Sequence, residues 1–205
     1  MTTELTEIEA RILGSLIEKS FLTPETYPLS FPALLNACNQ KTSRDPVMTL
    51  EPDGLKRGLA SLFEKGLAAE RLGSRVPKYA HHAENLKAGE TPELLGTLCL
   101  LLLRGPQTAA ELRARSERLC QFPGNAEVEE ALQKLASHPE GPFVSRLARG
   151  RWQHLFFGAT PGVSVPLPPP TARAAEPSPL EKRLEELEAR VAALEGKLNQ
   201  GPSSS

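Results

Sequence analysis

The chain carries one order of signals twice, and that repeat limits its fold more than any single motif. In the first half, Leu5, Ile8, Ile12, Leu13, Leu16 and Ile17 recur at helical spacing and form one apolar stripe. Thr3 or Thr6 can cap that helix. A short second helix follows, with Ser30 as N-cap, Pro32 in its first turn and Ala33, Leu34, Ala37 and Cys38 as its apolar face. A third spans about 52–65, where Leu55, Leu59, Leu62 and Phe63 turn inward and Gly66 stops it. Residues 67–72 and 76–81 then read as a β-hairpin that turns at Gly73, Ser74 and Arg75.

The same order returns after a connector at residues 88–90. Thr91 and Pro92 open a helix that Gly105 and Pro106 stop, and Thr108 caps a second helix running to about Cys120. A third, 126–137, has Val128, Leu132 and Leu135 on its apolar face. A second hairpin, 143–147 and 152–157, closes around Arg149 and Gly150. Three helices and a hairpin is the order of a winged helix, a helix-turn-helix variant with a β wing. The expected fold is mainly α with small β-hairpins (α+β): two tandem winged-helix domains, residues 1–87 and 88–158.

From residue 159 the composition changes. Prolines at 161, 166, 168, 169, 170, 177 and 179 mark an extended linker over 159–179. Over 180–200, Leu180, Leu184, Leu187, Val191, Leu194 and Leu198 repeat at spacings of four and three. They form a coiled-coil-like seam of about two and a half heptads, which suits self-association or docking of a partner helix. The alternative is an amphipathic helix folded back on the chain's own domains.

The densest block of unusual residues is 16–50. Its matching segments are LIEK (16–19), TPETYPLSFPALLNACNQK (23–41) and RDPVMTLE (44–51). SRVPKY (74–79), LLLRGPQTAAELRARS (101–116) and the late WQHLF run (152–156) add to them. With these segments the chain resembles the YceH-like family, bacterial proteins of uncharacterised function, over roughly residues 4–158. The resemblance implies two winged-helix domains in tandem and brings no established activity with it.

The net charge of −1 and pI of about 6.5 predict no bulk attraction to nucleic acid or to a membrane surface. Aromatic residues are only 5%, so the cores must be built from Leu, Ala and Val. Cys38, Cys99 and Cys120 are widely spaced without a CxxC pair and read as buried free thiols, which fits a reducing cytoplasm. The N-terminus is acidic and lacks a signal-peptide layout, and the apolar run 94–103 is about half the length that spans a bilayer.

The fold points first to DNA, through the third helix and wing of the first domain. Lys41, Arg44, Lys56, Arg57, Arg75 and Lys78 are the expected nucleic-acid contacts, with Arg71, His81 and His82 close by. Glu51, Asp53 and Glu64 offset them, and the competing reading is an ordinary mixed-charge surface. In the second domain the third helix sets Glu127, Glu129 and Glu130 against Lys134, which phosphate would repel. Its basic residues lie elsewhere, at Arg113, Arg115, Arg118, Arg146, Arg149 and Arg151. The amides around Asn39 and Gln40 are better suited to holding a loop than to reading bases. Tyr27, Tyr79 and Trp152 read as core.

Nothing in the pattern asks for catalysis. His81, His82, His138 and His154 share no metal-ligand spacing with the cysteines, and there is no Gly-rich phosphate loop or GxSxG. The expectation is a cytoplasmic, non-enzymatic regulatory protein that binds DNA, with no cofactor, metal or small-molecule substrate. The rival is a protein-interaction scaffold, a homodimer or partner-binding protein assembled through its C-terminal helix.

Overall fold

A computed structural model describes residues 3–71 and 76–157. The expected linker at 159–179 and the seam Leu180, Leu184, Leu187, Val191, Leu194 and Leu198 lie outside the described residues, as does Arg75.

Helix α1 (Glu7–Leu22) starts at a reciprocal cap. The Thr6 hydroxyl accepts from the Glu9 N–H at 3.2 Å, and the Glu9 carboxylate accepts from the Thr6 N–H at 2.6 Å. The single stripe expected for this helix understates its burial, because every residue from 9 to 18 is buried. The physical reason is that two helices cover it. Helix α3 (Pro52–Glu64) approaches through Gly58, where a Cβ would stand 2.5 Å from Ile12 Cδ1. Helix α4 (Pro92–Arg104) approaches at Gly14, where a Cβ would stand 2.9 Å from the Leu103 side chain.

Helix α2 (Phe31–Cys38) has Ser30 at its N-cap position, but no side-chain capping bond is made there. Instead Leu29–Ser30 forms a two-residue strand, β1. Helix α3 ends at Gly66, whose φ of +66° lets the Leu67 N–H reach back to the Leu62 carbonyl at 2.8 Å. The hairpin then forms as expected from β2 (Ala68–Arg71) and β3 (Lys78–His81). Strand β1 adds to the free edge of β3, so the sheet is antiparallel with order β1-β3-β2.

The second half repeats this plan. Thr108 makes a second reciprocal cap, with Glu111, at the start of α5 (Ala109–Ser116), and α6 (Asn125–Ala136) follows. Strands β4 (Gln107–Thr108), β5 (Val144–Arg146) and β6 (Arg151–His154) form a sheet of order β4-β6-β5. The architecture is α+β: six α-helices and two small antiparallel sheets among the described residues.

One apolar cluster runs through both halves. It includes Ile12, Leu16 and Leu34 from the first, Leu98 and Leu101 from α4, and Leu132, Trp152 and Phe156 from the second. The Leu5 N–H donates to the Phe156 carbonyl at 2.6 Å, tying the start of the first half to the end of the second. The connector is part of this core, since Leu86 and Ala88 are buried. No helix among the described residues is long and apolar enough to cross a membrane.

Candidate nucleic-acid interface

The residues expected to meet nucleic acid divide into a surface group and one that is deep inside. Arg44 is the inside one. Its side chain is 0% exposed, and its guanidinium grips Glu18 of α1 through two bonds of 3.0 and 2.7 Å. The remaining N–H groups go to the carbonyls of Ala37 and Ser43 and to the Gln40 side chain. All of its donors are engaged by protein, so a phosphate has nothing to bind there. Burial raises the Glu18 pKa, but the Arg44 contacts outweigh it and hold the carboxyl below its ordinary value. Arg44 is thus the clamp that fastens the connection between α2 and α3 onto α1, and it offers no surface contact.

Two further devices hold the same connection. The Asn39 side chain bonds both the N–H and the carbonyl of Leu50, at 2.7 and 2.9 Å, closing the loop across its base. Arg11 of α1 donates to the carbonyls of Cys38 and Pro46 at 3.1 and 2.5 Å. The loop-holding role expected for the amides is what Asn39 and Gln40 perform. Ser43 sits at a φ of +62°, a conformation that costs roughly 1 kcal/mol or more for a residue with a Cβ. The bonds of its neighbour Arg44 offset that strain.

The surface group is smaller. Lys41 is exposed on the fastened loop and makes no ion pair among the described residues. Lys56 and Arg57 are exposed on α3, with Lys56 3.4 Å from Asp53 and Arg57 in no ion pair among the described residues. Asp53 and Glu64 on that helix and Glu51 at its N-cap position dilute its charge. On the hairpin the balance differs. Lys78 lies directly opposite Arg71 on β2 and Ser30 on β1, so two cations share one face of the sheet, and neither forms an ion pair among the described residues. Like charges set directly across a strand pair are unfavourable unless an anion comes between or beside them. The other face holds Tyr79, stacked on Phe63 of α3 at 6.2 Å and edge-on to Phe31, which fixes the hairpin against the helices.

Helix α6 is different in character. Its exposed surface carries Glu127 and Glu130, and Lys134 is taken up by Glu130 at 2.8 Å. Two arginines of the second sheet have structural contacts: Arg151 donates to the Pro106 carbonyl and Arg146 lies over the Trp152 ring at 5.8 Å. Cys38, Cys99 and Cys120 are free and buried. Among the described residues no group of three or more His, Cys, Asp or Glu could hold a metal ion.

The family described as "Protein of unknown function, DUF480" matches residues 5–152, nearly all of the described chain. The chain belongs to this family. Bacterial DUF480 relatives extend the match. The UPF0502 protein of Saccharophagus degradans is 42% identical over 209 residues, covering 93% of this chain and 94% of its own length. The UPF0502 protein YceH of Salmonella arizonae is 40% identical over 210 residues, covering 97% and 96%. The resemblance seen in the 16–50 block therefore extends over almost the whole DUF480 chain.

Arg11 and Arg71 were the residues that pattern reading undervalued. Arg71 stood in the wing but outside the favoured set, and only strand register reveals that it faces Lys78. Arg11 interrupts an apolar run of α1, a signal that was present but was absorbed into an amphipathic reading.

Proposed function

We propose that this DUF480 protein is a nucleic-acid-binding regulatory protein built from two winged helices, with its phosphate contacts in the first half. The observation that carries the reading is the cross-strand pair Arg71–Lys78, two cations on one sheet face that form no ion pair among the described residues. The element order helix, short strand, helix, helix, hairpin supports it, because in that plan the third helix and the hairpin are the parts that meet a duplex. Lys56 and Arg57 lie on that third helix and Lys41 precedes it, and Arg75 lies in sequence between Arg71 and Lys78. The reading implies a cytoplasmic, non-catalytic protein without metal or cofactor.

The test is fluorescence anisotropy of labelled duplex DNA fragments titrated with the full chain at several salt concentrations. Binding should weaken steeply as salt rises, because each phosphate contact releases counterions. Arg71→Glu with Lys78→Glu should weaken low-salt binding by about tenfold or more, while Lys134→Glu on the acidic α6 should change little. Absence of binding at low salt, or binding indifferent to the double reversal, overturns the reading.

One observation favours a second reading. The exposed carboxylates of α6 and the net charge of −1 suit docking to a protein rather than to phosphate. A scaffold that self-associates through residues 180–200 would sediment as a dimer without any DNA.

A further inference from the structure

A cavity of about 240 Å³ opens where α1, the fastened loop, the end of α4 and strand β6 meet. Leu101, Leu102 and Met48 give it an apolar wall, and the half-exposed Phe157 stands at its edge. Among the described residues, its two arginines and its histidine each keep a charge or a donor without a protein partner. Arg104 is partly buried and makes no ion pair or hydrogen bond among the described residues. Burial, then the neighbouring Arg115, lowers its pKa, so its charge is poorly compensated. Arg11 is 2% exposed and spends its terminal donors on neutral carbonyls, leaving Nε without a partner among the described residues.

His154 adds a neutral donor. It is 7% exposed, and its Nδ1 accepts from the Phe156 N–H at 3.3 Å. An imidazole that accepts at Nδ1 carries its proton on Nε2. That Nε2–H has no protein acceptor among the described residues, and the ring lines the cavity. Two carboxylates, Glu7 and Asp45, line the same space, and neither forms an ion pair with Arg11 or Arg104. Asp45 is anchored beside the arginine, because its N–H donates to the carbonyl of Leu103 at 2.9 Å. Charges of both signs thus surround one apolar wall and do not neutralise each other by contact.

We propose that this cavity binds a small zwitterion with an apolar body, the chemical class of an apolar α-amino acid. The ligand's carboxylate takes Arg104 and the Nε2–H of His154. Its ammonium takes Asp45, with Glu7 nearby, and its body lies on Leu101, Leu102 and Met48. The volume is below the roughly 300 Å³ at which pockets begin to take drug-sized ligands, so the occupant has on the order of ten non-hydrogen atoms. Leucinamide would leave the partly buried Arg104 without an anion, and 4-methylpentanoate would forgo the pair with the exposed Asp45, which is how such a site discriminates. The inference stands on this cavity alone and is independent of DNA binding.

The test follows the melting temperature of the full chain against L-leucine, L-phenylalanine, leucinamide and 4-methylpentanoate. A ligand that binds only the folded chain raises the melting temperature with concentration. The expected result is a saturable rise with leucine or phenylalanine, an apparent affinity at least about tenfold weaker for leucinamide, and a smaller loss, about twofold or more, for 4-methylpentanoate, whose missing ammonium faces the exposed Asp45. Arg104→Gln should weaken the leucine effect by a factor similar to that for leucinamide. It should not lower the unliganded melt, since it removes a poorly compensated charge that makes no bond among the described residues. Met48→Trp, which fills the space, should abolish the rise. No rise with either amino acid at millimolar concentration overturns the proposal. So does an equal response to 4-methylpentanoate, or a leucine response that survives both substitutions.

Discussion

At the scale of single residues, the buried polar side chains set the molecule's response to pH. Burial pushes the His154 pKa down from 6.5 to about 4. The unfolded chain therefore takes up a proton at this site before the folded chain does. Stability contributed by the neutral ring is complete above pH 6.5 and is lost as the pH falls from there towards 4. The loss is roughly 3 kcal/mol over that window, from the size of the shift. Urea unfolding at pH 7, 5.5 and 4.5 should show the decline, and His154→Leu should flatten most of it. Glu9 and Glu18 have lowered pKa values despite burial that raises them, because Lys65 and Arg44 hold them as anions. Their stability is lost lower, below the ordinary carboxylate value of about 4.3, so the two effects separate on the pH axis. Residues such as Asn39 were legible beforehand because flanking prolines leave backbone groups in need of a partner. Arg44 was not. A basic residue in a polar run beside Asp45 and Pro46 reads as surface, and its partner Glu18 lies 26 positions away.

At the scale of elements, close approach is organised by small residues on α1 and on the helices that flank it. A Cβ at Gly14 would stand 2.9 Å from both Cγ and Cδ2 of Leu103 and 3.3 Å from Cβ of Leu102. The first of these is a branch point of a buried side chain, which has little room to yield. Gly14→Ala gains about 1 kcal/mol of helix propensity yet meets an overpacking cost of about 1–3 kcal/mol. The expected outcome is no gain or a net loss of stability, read as a lower urea midpoint. An exposed Ala60→Gly on α3 should lose about 1 kcal/mol through propensity alone. Helices and hairpins were readable from spacing, caps and stop signals, as at Thr6, Thr108 and Gly66. Strands β1 and β4 were not, because two residues cannot display an alternation. Their pairing with β3 and β6 is dictated by the hairpin edge they meet and by no local pattern.

At the scale of the whole molecule, the repeat of elements does not make two independent cores. Helix α1 is enclosed by its own half on one side and by α4 on the other, and Leu5 is bonded to Phe156. Calorimetry of the full chain should therefore give one cooperative transition for these residues, with equal calorimetric and van 't Hoff enthalpies. Two resolved transitions would mean that the halves unfold separately. The sequence repeat exposed the twofold order of elements, while the shared core depends on which face of α1 each half covers, and that is written in no single segment. The three cysteines acquire a use from this arrangement. Cys38 lies in the first half, Cys99 on α4 with its thiol 3.4 Å from the Gly14 carbonyl, and Cys120 in the second half. Burial pushes each thiol up, to about 11 for Cys38 and Cys120 and well above its ordinary value for Cys99. An alkylating reagent can reach them only while the chain is briefly open. The protein thus carries three internal clocks, and whether they tick together is a record, residue by residue, of how the molecule breathes.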